Sequence, residues 1–476
     1  MTSSPVVVIG AGPVGLAAAA HLHKYQQPFV VLEAGPEPGA AVREWGHVRT
    51  FSPWRYMIDG AAKDLLAGSG WSVPALDNLP TGDELIDQYV TPLANHPAIQ
   101  PHVRYQAKVV AVGRKDFDKV RTRGRDQQPF EIRLASGETL EARAVIDASG
   151  TWSRPNPAGA GGISAIGERE RHDRIAYGIP DLLRTQRQRF AGQRVLVVGS
   201  GHSAFNVVLD LLSLADAEPQ TRITWAMRRE SLDTVWGGGS ADALEARGEL
   251  GRRAKSAVDE GRIRVVTPFR IRSIAQVDDA VRVTGAIHDH ETTVDADQVI
   301  VCTGFRPDLE MLSEVRVGID PWLECATALG PLIDPNEHSC GTVRPHGARE
   351  LAHPEKNFYI VGMKSYGRAP TFLLATGYEQ ARSVVAMLAG DVAAAERVEL
   401  VLPETGVCSS DAGAAAGGAC CGGPASASAL PVEAHACCVD DAVAKLEGKG
   451  GCGCGTPEPV PASARPVLVE LRRGRA

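Results

Sequence analysis

Apolar residues in this chain gather in short unbroken runs that end at a turn. "PVVVIG", "PFVVLEAG", "ARAVIDASG", "QRVLVVGSG", "DQVIVCTG" and "NFYIVG" each set a few apolar positions ahead of a glycine. Such runs, bounded by turn residues, predict strands buried on both faces of a parallel sheet. Helical patterns follow several of them, "LAAAAHL" after the first, "SAFNVVLDLL" after the fourth and "LLATGYEQARSVVAML" after the last. Strand, turn and helix in that order predict an α/β fold. After about residue 396 the pattern stops. "SSDAGAAAGGA" and "GGPASASALP" hold too few large apolar residues to build a core and read as flexible linker. One short helix is predicted there, over 439–448, with acids at its start, Lys445 near its end and Gly448 just beyond the last turn.

The turns carry the first chemistry. In "PVVVIGAGPVGLAAAAHL" the order is strand, Gly10-x-Gly12-x-x-Gly15, helix. Gly10 permits the tight turn, Gly12 lets the backbone approach a pyrophosphate, and Gly15 lets helix and strand pack closely. The helix N-terminus then offers free N–H groups and a positive dipole end to the anion. The next strand, "PFVVLEAG", ends in Glu33, where a carboxylate would hold ribose hydroxyls. The pattern recurs as Gly199-x-Gly201-x-x-Ala204, but the strand after it, "RITWAMRRE", ends in Arg228 and Arg229. An arginine fork pairs with a 2′-phosphate that a carboxylate would repel. The first turn therefore reads as a site for the adenosine end of FAD and the second as a site for NADPH. The bland alternatives are a glycine turn that binds nothing and two solvated strand-end arginines.

Composition narrows the partners without changing that picture. At 476 residues, 44% hydrophobic and 22% charged, the chain is long enough for two or three domains. A net charge of −7 gives no electrostatic reason to expect nucleic acid or an anionic membrane. The apolar stretch 6–22 is short and broken by Gly10, Gly12, Pro13 and Gly15, so it is not read as a membrane span. The expected location is the cytoplasm, as a monomer or homodimer. "HDH" at 288–290 falls in a polar turn and reads as solvated, and the thirteen histidines show no metal spacing on a helix.

Two such turns on one chain resemble the two-dinucleotide-binding-domain flavoproteins, and within them the flavin-containing monooxygenase family. The segments "ARAVIDASGTW" (142–152) and "DQVIVCTGFRPDLEML" (297–312) resemble the two crossings between an FAD domain and an inserted NADPH domain. "NFYIVGMKSYGRAPTFLLATGYEQARSVVAML" (357–388) resembles the closing FAD segment. The resemblance implies an FAD-binding domain over 1–155 and 298–395, an NADPH-binding domain over 156–297 and a flexible cysteine-rich tail over 396–476. It places Gly150, Gly362, Thr371 and Phe372 against FAD, and Ser203, Thr303 and Gly304, with the second glycine turn, against NADPH. "HVRTFSPWRYMID" (47–59) lies where the family lines its pocket, so Arg49, Trp54, Arg55 and Tyr56 are candidate catalytic residues; core packing is the competing role for Trp54 and Tyr56. "TVWGGGSAD" (234–242) is either a glycine loop over the cofactor or an exposed connector. The family signature FxGxxxHxxx(Y/F) is not intact here, since Gly167, His172 and Tyr177 keep its order with different spacing.

The cysteines add a second line of inference. No cysteine precedes Cys302, whereas disulfide reductases of this scaffold need a cysteine pair beside the flavin, usually a CxxxxC in the first domain. In the resembling family NADPH reduces FAD, O₂ adds to give a flavin C4a-hydroperoxide, and a soft nucleophile takes its distal oxygen. Seven of the ten cysteines lie between Cys408 and Cys454. Six form the vicinal pairs Cys420–Cys421 and Cys437–Cys438 and the CxC of Cys452 and Cys454. Adjacent thiols fit tetrahedral zinc poorly and suit a soft ion of low coordination number, such as Cu(I), Hg(II) or trivalent arsenic or antimony. "ACCGGPA" and "ACCVDDAVAKLEGKGGCGCG" resemble the cysteine-rich ends of bacterial arsenic-resistance proteins. Together the resemblances imply an NADPH-dependent flavin monooxygenase that oxidises methylarsenite, arsenite or antimonite, with the tail cysteines as metal ligands. The rivals are a monooxygenase of an organic amine or sulfide, a flavin-dependent metal-ion reductase, and a metalloid-binding chaperone. Cys302 reads as a small core residue, while Cys325 and Cys340 could be core or ligands.

Overall fold

The computed structural model describes residues 4–231, 236, 245–338, 343, 345–370 and 372–400. Thr371, Cys340, most of the 234–242 loop, the expected 439–448 helix and all seven tail cysteines lie outside the described residues.

Two parallel sheets organise the chain. The first is formed by β1 (Val6–Ile9), β2 (Phe29–Leu32), β3 (Val103–Arg104), β7 (Ala144–Asp147) and β16 (Phe358–Ile360), in the order β16-β7-β1-β2-β3. The second is formed by β8 (Ile175–Tyr177), β9 (Arg194–Val198), β10 (Arg222–Ala226), β11 (Arg264–Val266) and β15 (Gln298–Val301), in the order β11-β10-β9-β15-β8. Each sheet is backed by an antiparallel three-stranded sheet. These are β4 (Val109–Arg114), β5 (Phe130–Leu134) and β6 (Thr139–Ala142) for the first, and β12 (Arg270–Val277), β13 (Ala280–Ile287) and β14 (His290–Ala296) for the second.

The layering explains the unbroken apolar runs. Val6 and Val8 pack with helix α1 (Pro13–Lys24), whereas Val7 and Ile9 pack with Val112, Phe130 and Ile132 of the antiparallel sheet. Successive side chains of a strand point to opposite faces, so a strand covered on both faces needs an apolar residue at every position. The second sheet repeats the design. Val195 and Val197 pack with helix α2 (His202–Ala217), while Leu196 and Val198 pack with Ile271, Ile274 and Val283. Each such side chain contributes about 1.5–3 kcal/mol on burial. Helix α1 is buried from Pro13 to Leu22, and apolar there but for His21, because it is enclosed between the sheet and helix α3 (Leu374–Leu388). No helix among the described residues is long and apolar enough to cross a membrane, and the stretch 6–22 resolves into β1, a turn and most of α1.

The family resemblance puts Gln298–Val301 in the first domain, yet β15 is hydrogen-bonded between β9 and β8 in the second sheet. The return crossing lies just after it. There Phe305 forms an antiparallel bridge with Pro155 of the outgoing crossing, and the Asn156 amide donates to the Gly304 carbonyl at 2.9 Å. Trp152 stacks on Phe305 at 4.6 Å between ring centres. The two connections between the sheets thus run side by side as one two-stranded strap.

Candidate functional site

Both glycine turns sit at the carboxyl end of the central strand of a parallel sheet, where open α/β sheets bind ligands. At the first, Gly10 has φ +102°, and a Cβ there would lie 2.8 Å from the Ala148 carbonyl oxygen. A Cβ on Gly15 would lie 1.9 Å from the Gly10 oxygen, so helix and turn are in direct backbone contact. Gly12 differs: nothing lies within 4 Å of its Cβ position, and it caps α1 with no side chain bound to the first N–H groups. That open, uncapped helix end is the cradle a pyrophosphate needs. Glu33 lies against it, its two carboxylate oxygens accepting from the Ala11 amide at 2.7 Å and the Gly35 amide at 2.8 Å. Each oxygen keeps a lone pair for a ribose hydroxyl.

The second turn has the same geometry. Gly199 has φ +127° and would bring a Cβ to 2.3 Å from the Cys302 carbonyl oxygen. Gly201 faces open space and caps α2 without a side-chain bond, while Ala204 is fully buried and Ser203 half-buried. Arg228 is exposed at the end of β10 and donates to the Ala160 carbonyl at 2.7 Å; Arg229 follows, half-buried, its carbonyl accepting from Thr267 Oγ1. Thr303 Oγ1 donates to the Asn156 carbonyl at 2.8 Å, and Gly304 has φ +86°. These two residues build the strap.

Beneath the first site lies a polar group that sequence reasoning missed. Lys364 Nζ meets Asp147 Oδ2 at 2.7 Å, with both side chains at 1% exposure or less. Ser149 joins them, its Oγ donating to Asp147 Oδ1 at 2.6 Å and lying 3.1 Å from Nζ. Asp147 ends β7 just before Gly150, which has φ +69° and open space at its Cβ position. From the other side the Gly362 amide donates to Gln380 Oε1 at 2.7 Å, and Gly362 packs on Val14 of α1. Phe372 stands edge-on to Tyr366 at 5.3 Å. The β1, β7 and β16 turns are thereby locked around one point. Only the lone charged residues inside apolar runs, "AVIDASG" and "IVGMKS", signalled this pair.

The 47–59 segment divides its candidates. Trp54 is buried in the first core, Tyr56 is half-buried, and Arg55 is exposed and ion-paired with Asp77. Arg49 is exposed, 3.6 Å from Glu84. Arg49 and Trp54 share an open cavity of about 470 Å³ with Pro74, Asp77, Asn78 and Gln88. The same segment reaches the second module, where the Phe51 ring lies 5.3 Å from His202 in the first turn of α2. Burial pushes the nearby His47 imidazole below its ordinary range, against the opposing charge of Asp181.

The remnant of the monooxygenase signature has a structural role. Gly167 has φ +80° and would place a Cβ 2.3 Å from the Ile274 carbonyl, and His172 is exposed. Tyr177 donates to buried Glu168 at 2.7 Å, whose carboxylate also accepts from the Ala158 and Ala165 amides. Cys302 is buried under the second turn, its thiol pushed up by burial and 3.3 Å from the Gly178 carbonyl. Cys325 is buried in the first core, its thiol pushed up to about 12 by burial and the nearby Asp320. Among the described residues no cluster of three or more His, Cys, Asp or Glu could hold a metal ion, and the 288–290 turn is exposed.

Comparison with known proteins agrees with this construction. A ferredoxin–NADP reductase of Thermus thermophilus is 26% identical over 350 residues, covering 71% of this chain and 84% of the relative. The bacillithiol disulfide reductase of Bacillus cereus superposes with a TM-score of 0.61 at 17% identity, over 82% of this chain and 99% of the other. A flavin-containing monooxygenase of Stenotrophomonas maltophilia superposes at 0.53 and 22% identity, again over 82% and 99%. These likenesses show the shared two-dinucleotide-binding-domain fold. Residues 7–327 match the pyridine nucleotide-disulphide oxidoreductase family over most of the chain. The chain belongs to that family, as an FAD- and NADP(H)-dependent oxidoreductase.

Proposed function

We propose that this chain is an NADPH-dependent flavin monooxygenase that oxidises trivalent arsenicals (methylarsenite, arsenite) or antimonite to pentavalent species, and that its cysteine-rich tail captures the metalloid. The observation that carries the reading is the distribution of thiols. The first dinucleotide module contains no cysteine before Cys302, and Cys302 and Cys325 are enclosed in apolar cores with their thiols held protonated. A buried thiol of this kind is inert as a redox partner. With no cysteine among residues 1–301 and both described thiols buried, oxygen is the acceptor we assign.

The open helix ends at Gly12 and Gly201 would hold the two pyrophosphates, Glu33 the FAD ribose, and Arg228 the 2′-phosphate of NADPH. FAD, when bound, supplies hydride acceptance from NADPH and the reaction with oxygen. The protein's own part is positioning. The Asp147–Lys364–Ser149 group fixes the turn before Gly150, and the strap of Asn156 with Thr303 and Gly304 sets one module against the other. The tail, tethered by its Gly/Ala-rich linker, would raise the local concentration of a thiophilic substrate.

Methylarsenite-dependent consumption of NADPH and O₂ in equal amounts tests the proposal. NADPH oxidation that is indifferent to methylarsenite would remove it. A second reading, transfer of electrons to a redox protein, is favoured by the ferredoxin–NADP reductase relatives, which span the same modules. Rapid NADPH-dependent reduction of ferredoxin, unaffected by metalloid, would select it.

A further inference from the structure

We propose that Arg228, Arg306 and Arg368 form a binding site for a dianionic oxyanion over the glycine-rich loop 158–168. The loop reads "AGAGGISAIGE", and Glu168, its one acid, is buried and accepts from Ala158, Ala165 and Tyr177. Three guanidiniums from separate parts of the chain lie against this loop, one at Ala160 and two at Gly162. Arg228, at the end of β10, donates to the Ala160 carbonyl at 2.7 Å. Arg306, in the strap, donates through Nε to Asn156 Oδ1 at 2.8 Å and through Nη2 to the Gly162 carbonyl at 3.3 Å. Arg368, in the segment closing the first module, brings its Nη2 to 3.5 Å from the Cβ position of Gly162, where the Arg306 Nη2 lies at 3.7 Å. Those two cationic nitrogens are therefore within about 7 Å of each other.

None of the three forms an ion pair with a described residue, and the Arg368 guanidinium has no hydrogen-bond partner among them. Several other surface arginines are neutralised by a partner. Arg43, Arg104, Arg194 and Arg282 each meet a carboxylate. Asp308, the carboxylate nearest in sequence to Arg306, is 3.6 Å from Arg154. Like charges gathered on neutral carbonyls repel one another unless an anion lies among them. Each fork keeps unused N–H donors, the geometry that suits a tetrahedral oxyanion. Gly162, at φ +75°, has no side chain to fill the space between the Arg306 and Arg368 heads.

The oxyanion has two possible sources with one chemistry: the 2′-phosphate of the nucleotide, or a free oxyanion such as a pentavalent product of the reaction proposed above. The test uses the full-length holoenzyme with ferricyanide as electron acceptor, so it does not depend on the identity of the oxidised substrate. KM is measured for NADPH and NADH, with inorganic phosphate as the free-anion probe, in Arg228→Ala, Arg368→Ala and Arg368→Lys. Removal of one charge-assisted contact should weaken oxyanion binding about tenfold. A rise in KM for NADPH and not NADH, in both alanine variants, assigns the site to the 2′-phosphate. Weakened inhibition by phosphate at an unchanged NADPH-to-NADH ratio assigns it to a free oxyanion. Arg368→Lys should recover part of either effect. The shared site is overturned if Arg368→Ala leaves both readouts within twofold of the wild type, whatever Arg228→Ala does.

Discussion

Lys364→Met should destabilise the first module far more than any surface substitution. The wild-type ammonium and the Asp147 carboxylate stand 2.7 Å apart with almost no solvent contact. At an effective dielectric near 20 their attraction is about 6 kcal/mol. Desolvating the two ions costs several kcal/mol each, so the pair as a whole adds little net stability. Breaking it is another matter. In the variant, Asp147 keeps only the Ser149 amide at 3.1 Å and the Ser149 hydroxyl at 2.6 Å, and its charge stays buried. A buried carboxylate stripped of its cation costs about 3–5 kcal/mol. Combining Asp147→Asn with Lys364→Met removes both charges and keeps an acceptor for Ser149, so most of that loss should return. Urea unfolding of the three proteins measures both steps, and released flavin fluorescence reports on the turn before Gly150. A single variant within about 1 kcal/mol of the wild type would refute the reasoning. So would a double variant no better than the single, because the cost would then belong to packing.

Three further outcomes are expected. His353 has an Nε2 buried without a partner, and burial pushes its imidazole from 6.5 down to about 4. The unfolded chain takes this proton near 6.5 and the folded one near 4, so the stability it contributes is complete above 6.5 and is lost as pH falls toward 4, by up to about 3 kcal/mol. His353→Phe should therefore flatten the pH dependence of the urea midpoint over that window, and an unchanged slope would assign the acid sensitivity elsewhere. In native protein truncated after residue 399, Cys302 and Cys325 should not react with a thiol reagent at pH 8 and should react on unfolding; fast labelling of either in the folded state would contradict its burial. The same truncation should raise the apparent KM for methylarsenite and leave NADPH oxidation by ferricyanide unchanged. Identical kinetics at low metalloid concentration would end the capture role.

What the sequence made legible follows from range. The glycine turns are legible because strand, turn and helix occupy fewer than thirty adjacent residues and the Gly15 constraint, the Gly10 carbonyl, lies within them, although Gly10 is also limited by distant Ala148. The antiparallel backing sheets were not anticipated, because their strands alternate buried and exposed residues, as in Phe130–Leu134, and break the pattern of continuous runs. The site's supporting contacts are long-range. Lys364 lies 217 residues from Asp147, and Arg306 lies 144 from Gly162. No spacing rule links such pairs. The family-based placement of Gln298–Val301 failed for a related reason. A crossing segment reads the same whether its strand closes one sheet or begins the return to the other, and pairing with Val195 and Ile175 decides it.

The thiols show how the two scales combine. From sequence alone Cys325 was open between ligand and core, because the segment around it carries no periodic pattern. In the fold it packs among Leu323, Ala326 and Leu329, where ionisation is suppressed. Cys302 has a different neighbour but the same fate, enclosed where Gly199 presses on its carbonyl. A substrate that prefers thiolates thus finds none at these two positions. If thiol capture occurs, it must use Cys340 or the clustered cysteines of 408–454, and the truncation experiment isolates that second group. The flavin chemistry needs no protein thiol for an oxygen acceptor, so loss of metalloid capture with intact NADPH oxidation is the result that would separate the two tasks.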